Sequence, residues 1–149
     1  MFNQYTYLTG ILPSFPEIKA IYRVSGLAGM EEAMQNLRTL PSLMLFSEDD
    51  ADGFLDLEDG NFDNGFHTFS IAGPAKLGDS EDRQRLLNVA MTAGLKIFRR
   101  MITDSRDFGN AVYGFDRSRI DYQRIGPLLN NSYGYMFSYT LRNENFSLV

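Results

Sequence analysis

The sequence has no cysteine and a single histidine, His67, in 149 residues. Without cysteine there can be no thiol nucleophile, disulfide scaffold, thiolate zinc site or iron–sulfur cluster. One histidine excludes a multi-histidine metal centre. Long apolar runs are also missing. Nothing approaches the ~18 residues of a membrane-spanning helix. The opening Met-Phe-Asn-Gln-Tyr-Thr-Tyr-Leu-Thr-Gly lacks the basic and apolar regions of a signal peptide, so a soluble, cytoplasmic protein is expected. In that setting the sequons at Asn130 and Asn145 carry no weight. There is no Gly-x-Ser-x-Gly, and the glycine-rich stretches 26–30 and 73–78 lack the Gly-Lys-Ser/Thr ending of a phosphate loop.

What is present is globular. The chain is 44% hydrophobic and 22% charged, and its length suits one domain, 1–149. A chain of this size buries roughly two thirds of its extended-chain surface, enough to fold without metals or cross-links. The net charge of −5 is uneven. Of 19 acids, eight (Glu48, Asp49, Asp50, Asp52, Asp56, Glu58, Asp59 and Asp63) fall in 48–63, a stretch with no Lys or Arg. The remaining 11 face 14 bases, so the low pI describes one segment. The bases are scattered, with only Arg99 and Arg100 adjacent, so no direct nucleic-acid readout is expected.

Periodicity gives the elements. Phe2, Tyr5, Leu8 and Leu12 share a helical face that Pro13 and Pro16 end. Ile18–Val24 reads as a strand, Gly26 and Gly29 as breakers, and Met30–Leu37 as a helix. Leu43–Phe46 reads as a buried strand. The acidic stretch 48–63, with Gly53, Gly60, Asn61 and Asn64 as breakers, is expected to be an irregular loop. Asn64-Gly65 is a turn signal, and Phe66–Ile71 alternates as a strand up to Gly73-Pro74. From Ser80 to Thr103 an apolar stripe at helical spacing (Leu86, Leu87, Ala90, Met91, Gly94, Leu95, Ile97, Phe98, Met101, Ile102) predicts one long helix across a sheet, capped by Asp79 or Ser80. Gly94 in mid-stripe costs about 1 kcal/mol against Ala unless a close contact needs it. Arg119–Ile125 and Tyr133–Leu141 alternate as strands, joined by turn residues at Gly126-Pro127 and Asn130-Asn131. The sum is an α+β fold. It has an antiparallel or mixed sheet of about four to five strands, one long helix across a face in a β-β-α-β-β core, and short N-terminal helices.

Candidate chemistry is thin. Glu48-x-Asp50-x-Asp52-Gly53, followed after five intervening residues by Asp59, has the spacing of a calcium loop. However, Glu at position 1 is a methylene too long, Asp at position 12 a methylene too short, and the flanks are not helices. A small calcium- or ligand-binding module on 48–63 is therefore the alternative reading. His67, between Phe66 and Phe69, reads as structural. The row Tyr133, Tyr135, Phe137 and Tyr139 can stack bases or sugars, but at two-residue spacing opposite an apolar helix it reads as core. No catalytic, cofactor-binding or metal residue is assigned, and no enzyme is expected.

In order, the C-terminal half carries a strand with a Gly-Pro exit (Phe66–Pro74). A long helix follows with Gln84-Arg85-Leu86-Leu87 and Lys96-Ile97-Phe98-Arg99-Arg100. Then come Ile125-Gly126-Pro127-Leu128-Leu129-Asn130-Asn131-Ser132-Tyr133-Gly134-Tyr135 and Phe137-Ser138-Tyr139-Thr140-Leu141. Over residues 40–149 this resembles small structural proteins of phage and prophage tails, of the tail-terminator or tail-completion type. The resemblance implies a non-enzymatic subunit without cofactors that forms a homo-oligomeric ring. Its partners would be neighbouring tail or head-connector proteins, and it would pass from the bacterial host's cytoplasm to the virion tail. The acidic arm would suit a ring contact or a lumen-facing loop. The ending Phe146, Leu148 and Val149 is expected to pair as a strand within the sheet or with a neighbour.

Overall fold

The computed structural model describes residues 2–49, 51–58, 60 and 62–143. The elements run α1 (Gln4–Ile11), a 3-10 turn, β1 (Ala20–Val24), α2 (Gly26–Gln35), β2 (Met44–Glu48), β3 (Asp52–Asp56) and β4 (Phe62–Pro74). They continue with α3 (Ser80–Asp104), β5 (Phe115–Leu128), a second 3-10 turn and β6 (Ser132–Asn143). The α+β class and the long helix across a sheet stand as expected. The sheet has six strands, in the order β1-β2-β4-β6-β5, with β3 also paired to β4. Only β1 and β2 are parallel; the other pairs are antiparallel.

Local chemistry sets the helix starts. The Asn3 side chain accepts from the Thr6 backbone N–H (3.0 Å) and the Asp79 side chain from that of Asp82 (3.0 Å), each satisfying a donor left free in a first helical turn. In α3, Leu87, Ala90, Gly94 and Phe98 are buried against the sheet, while Met91 is half-buried. Leu95, assigned to the stripe from sequence, is instead 51% exposed: at this position the α-helical turn points away from the sheet. Gly94 has the close contact that its propensity cost requires. A Cβ there would overlap the Phe137 ring, so the helix backbone sits directly on β6. At Phe98 the rings of Phe69, Phe115, Phe137 and Tyr139 converge with centroids 5.3–6.1 Å away.

The helices divide the sheet into two unequal faces. Helices α1 and α3 cover one, burying Leu8, Ile11, Leu45, Phe69, Ile71, Ile97, Phe137 and Leu141 in one cluster. Helix α2 covers only part of the other, with Met30 and Met34 on Val24, Met44, Phe46 and Ala72. Further along that second face, Thr68 and Ser138 meet across the ladder (3.0 Å) and Phe66 stays exposed. Strand β5 is exposed on both sides for most of its length.

Three local expectations need correction. The stretch 48–63 is not an irregular loop: Asp52–Asp56 is a strand paired residue by residue with Phe62–Phe66. Asn64-Gly65 is not a turn but lies mid-strand in β4, also paired with β6. Gly26 and Gly29 do not break the chain but sit in the first turn of α2. There Gly26 has φ +70°, and its N–H donates to the Glu48 carboxylate at 2.9 and 3.1 Å. The hairpin's cause is tertiary. The long β4 and β6 give β3 a ready ladder, Gly53 faces Gly65 closely, and Arg142 reaches across. The Arg142 guanidinium lies 3.6 Å from the centroid of the Phe62 ring and pairs with Asp56 at 3.3 Å. The turn chemistry at Asn130-Asn131 is as expected, with both residues at positive φ (55° and 56°). The expectation for Phe146, Leu148 and Val149 lies outside the described residues.

Candidate functional site

A cleft of about 460 Å³ opens where β1 ends. Its walls come from the start of α1 (Phe2, Asn3, Gln4, Tyr5), the end of β1 (Arg23) and the β2–β3 connection. Its lining includes five consecutive residues, Ala51–Leu55, together with Asp63, Gly65 and His67 of β4. Strand β1 lies beside β2 as far as the pair Val24–Glu48, and β3 continues beyond with β4 as its one strand partner among the described residues. The cleft therefore runs along the outer edge of β3, in the place a further strand would fill.

Four carboxylates line it (Glu48, Asp49, Asp52 and Asp63) against one guanidinium, Arg23. Arg23 is held by Asp49 at 2.7 Å and lies 5.2 Å from the Tyr5 ring centroid. Both partners of that pair are exposed, so it contributes little to stability.

His67 lies at the cleft floor. Its ring meets Phe2 edge-on (4.9 Å) and stacks near Tyr139 (5.7 Å). Burial pushes its pKa below the ordinary histidine value, and the nearby Asp63 charge only partly offsets this. No hydroxyl of the described residues bonds to it, so it has the packing of a structural histidine. The sign of its pH effect follows. The unfolded chain binds the proton more readily than the folded one. Stability is therefore full above the unfolded pKa near 6.5 and falls as pH drops from there toward the lowered folded value. Thermal melts at pH 7.0 and 5.5 are expected to show a loss that His67→Gln reduces. An unchanged pH response in that variant would refute the assignment.

Beneath the cleft, Gln4 is buried and fully engaged. Its side-chain amide donates to Ser47 Oγ (2.9 Å) and to the Thr68 carbonyl (2.7 Å), and its Oε1 accepts from the Tyr139 hydroxyl (2.7 Å). Burial raises the Tyr139 pKa well above 10, so the hydroxyl stays a donor. Nearby, Tyr7 donates to Asp104 (2.7 Å), which also pairs with Arg100 (3.1 Å). These bonds fix the start of α1, and with it one cleft wall, on the sheet and on α3. Sequence reading missed Gln4, because a lone glutamine in a short amphipathic helix gives no signal of burial.

Two residues of the calcium spacing are otherwise engaged. Glu48 spends both oxygens on Gly26, Asp52 lies in a paired strand, and Asp50 and Asp59 fall outside the described residues. Among the described residues no group of three or more acids or histidines is placed to hold a metal. Millimolar calcium is expected to leave the melting temperature unchanged; a rise of several degrees would revive the calcium reading. Of the tyrosine row, Tyr139 is core, whereas Tyr133 and Tyr135 are half-buried. No helix of the described residues is long and apolar enough to cross a membrane.

No family model matches this chain, and no curated protein or solved structure is significantly similar to it.

Proposed function

We propose that the chain is a non-enzymatic structural subunit of a phage or prophage tail, working as a homo-oligomeric ring of the terminator or completion type. It would assemble in the host cytoplasm and stay in the virion tail, against neighbouring tail or head-connector proteins. The observation that carries this reading is the open sheet. Among the described residues β5 has β6 as its one strand partner, and it is solvent-exposed over most of its 14 residues. Phe54 (55%), Phe66 (44%) and Tyr122 (64%) lie open on or beside the sheet. Free edges and exposed aromatic side chains suit association, and a lone folded chain usually blunts or covers them.

The test has two arms. Purified protein is examined by sedimentation velocity and negative-stain microscopy for closed rings. The gene is also deleted from an inducible prophage, and the particles released are inspected. Rings, and tails of uncontrolled length or lacking heads, are expected. A protein that stays monomeric at high concentration, together with normal particles from the deletion, would overturn the reading.

A further inference from the structure

Two edges of this sheet that are free among the described residues, those of β3 and β5, differ in charge. On one side, the outer edge of β3 borders the cleft, where Glu48 is bound to Gly26 and Asp49 to Arg23, leaving the carboxylates of Asp52 on β3 and Asp63 on β4. On the other side, β5 presents Arg117, Arg119 and Arg124, all exposed. Arg119 pairs with Asp121 at 3.2 Å in a fully solvated pair, and Arg117 and Arg124 make no ion pair with any described residue. The edges are similar in length and opposite in sign. The β5 ladder is irregular between Asp116 and Ile120, which frees Arg117 and Arg119 from it, and then runs regularly from Ile120 to Ile125. That regular run is about as long as β3, Asp52–Asp56.

We propose that β5 of a second copy enters the cleft as an added strand on the edge of β3, its arginines meeting the carboxylates there. Backbone pairing would satisfy both edges, and the charges would set partner and direction. Because the two surfaces differ, the contact is head-to-tail. Repeated with a closing rotation it makes a ring, and without closure a fibre. This rests on the self-assembling reading given above, and it names the two surfaces that reading requires.

The experiment uses the full chain and two charge-reversed variants, Arg117→Glu/Arg119→Glu/Arg124→Glu and Asp52→Lys/Asp63→Lys. Sedimentation velocity and native mass spectrometry are run at low and high salt, with melting curves as folding controls. Wild type is expected to associate more strongly at low salt, since these charges are screened within about 10 Å at 0.1 M. Each variant alone should associate at least tenfold more weakly. Each still has one intact surface: the arginine variant keeps the acidic cleft and the lysine variant keeps the basic strand. Mixed, they should associate again, because the intact basic strand meets the intact acidic cleft and the glutamate strand meets the lysine cleft. If a reversal disturbs folding, Asp52→Asn/Asp63→Asn replaces it, with a smaller loss expected. Wild type that associates while neither variant weakens it would overturn the strand-in-cleft contact and leave the ring reading intact. The same holds if truncation after Asn143 abolishes association and the reversals do not, since the cleft would then take the C-terminal segment. Wild type that never associates overturns the strand-in-cleft contact, and the ring reading with it if the gene deletion also releases normal particles.

Discussion

Phe98→Ala is expected to cost about 3–5 kcal/mol, the range for removing a fully buried aromatic ring from a core that cannot collapse around the space. Little room exists for collapse at this site. Phe98 projects from the middle of α3 into the rings of Phe69, Phe115, Phe137 and Tyr139, which come from β4, β5 and β6. Those rings are themselves fixed by the ladder registers Phe69–Phe137 and Phe115–Leu141. The helix cannot sink into the gap either, because Gly94, one turn earlier, already rests on the Phe137 ring. A melting-temperature drop of roughly 10 °C or more follows for a domain of this size. Chemical denaturation should show the same loss with an unchanged slope. A loss below 1 kcal/mol would mean that the helix does not pack on the sheet as described.

Gln4→Leu is expected to cost about 2–4 kcal/mol although it adds apolar surface to a buried position. The substitution removes three hydrogen bonds at once. It leaves the Tyr139 hydroxyl, the Thr68 carbonyl and the Ser47 hydroxyl without this partner, with Tyr139 and Ser47 both buried. A buried polar group stripped of its partner costs roughly 1–3 kcal/mol, and repacking offsets some of the sum. Adding Tyr139→Phe removes one orphan, so the double variant should be less destabilised than the two single losses added together. Strict additivity in that cycle, measured by denaturant unfolding, would show that Gln4 and Tyr139 do not bond. The same Gln4 variant should loosen the start of α1 and thereby the cleft wall. Faster amide exchange at Tyr7 and Leu8 is the expected sign.

The long helix and the C-terminal strands were legible because their signal is local. In α3 the stripe from Leu86 to Met101 repeats at the helical period, and the Asp79 cap sits where such a helix must begin. In β6 the alternation from Tyr133 to Leu141 assigns Phe137, Tyr139 and Leu141 to the buried side without knowledge of any partner. The helical reading of 2–12 also stood, though on a weak pattern. The acidic stretch was not legible. Eight like charges and several breakers argue locally against any regular element, and Asn64-Gly65 argues for a turn. What overrides them lies far away in sequence: Asp63–Asn143 and Asn64–Arg142 of the β4–β6 ladder, the Arg142 side chain on Phe62 and Asp56, and the close Gly53–Gly65 approach.

By itself the sequence determined the class of fold, the position of the main helix, the faces of the last two strands and the absence of cysteine chemistry. Each of these depends on residue type and short-range period alone. The tertiary structure decided that Asp52–Asp56 of the acidic segment is a strand, that β1 stops short of β3 and leaves a cleft, that Gln4 is buried, and that β3 and β5 lie at different edges of one sheet. These depend on which strands become neighbours. Ladder pairing joins residues as far apart as Asp63 and Asn143, and no local pattern records the partner.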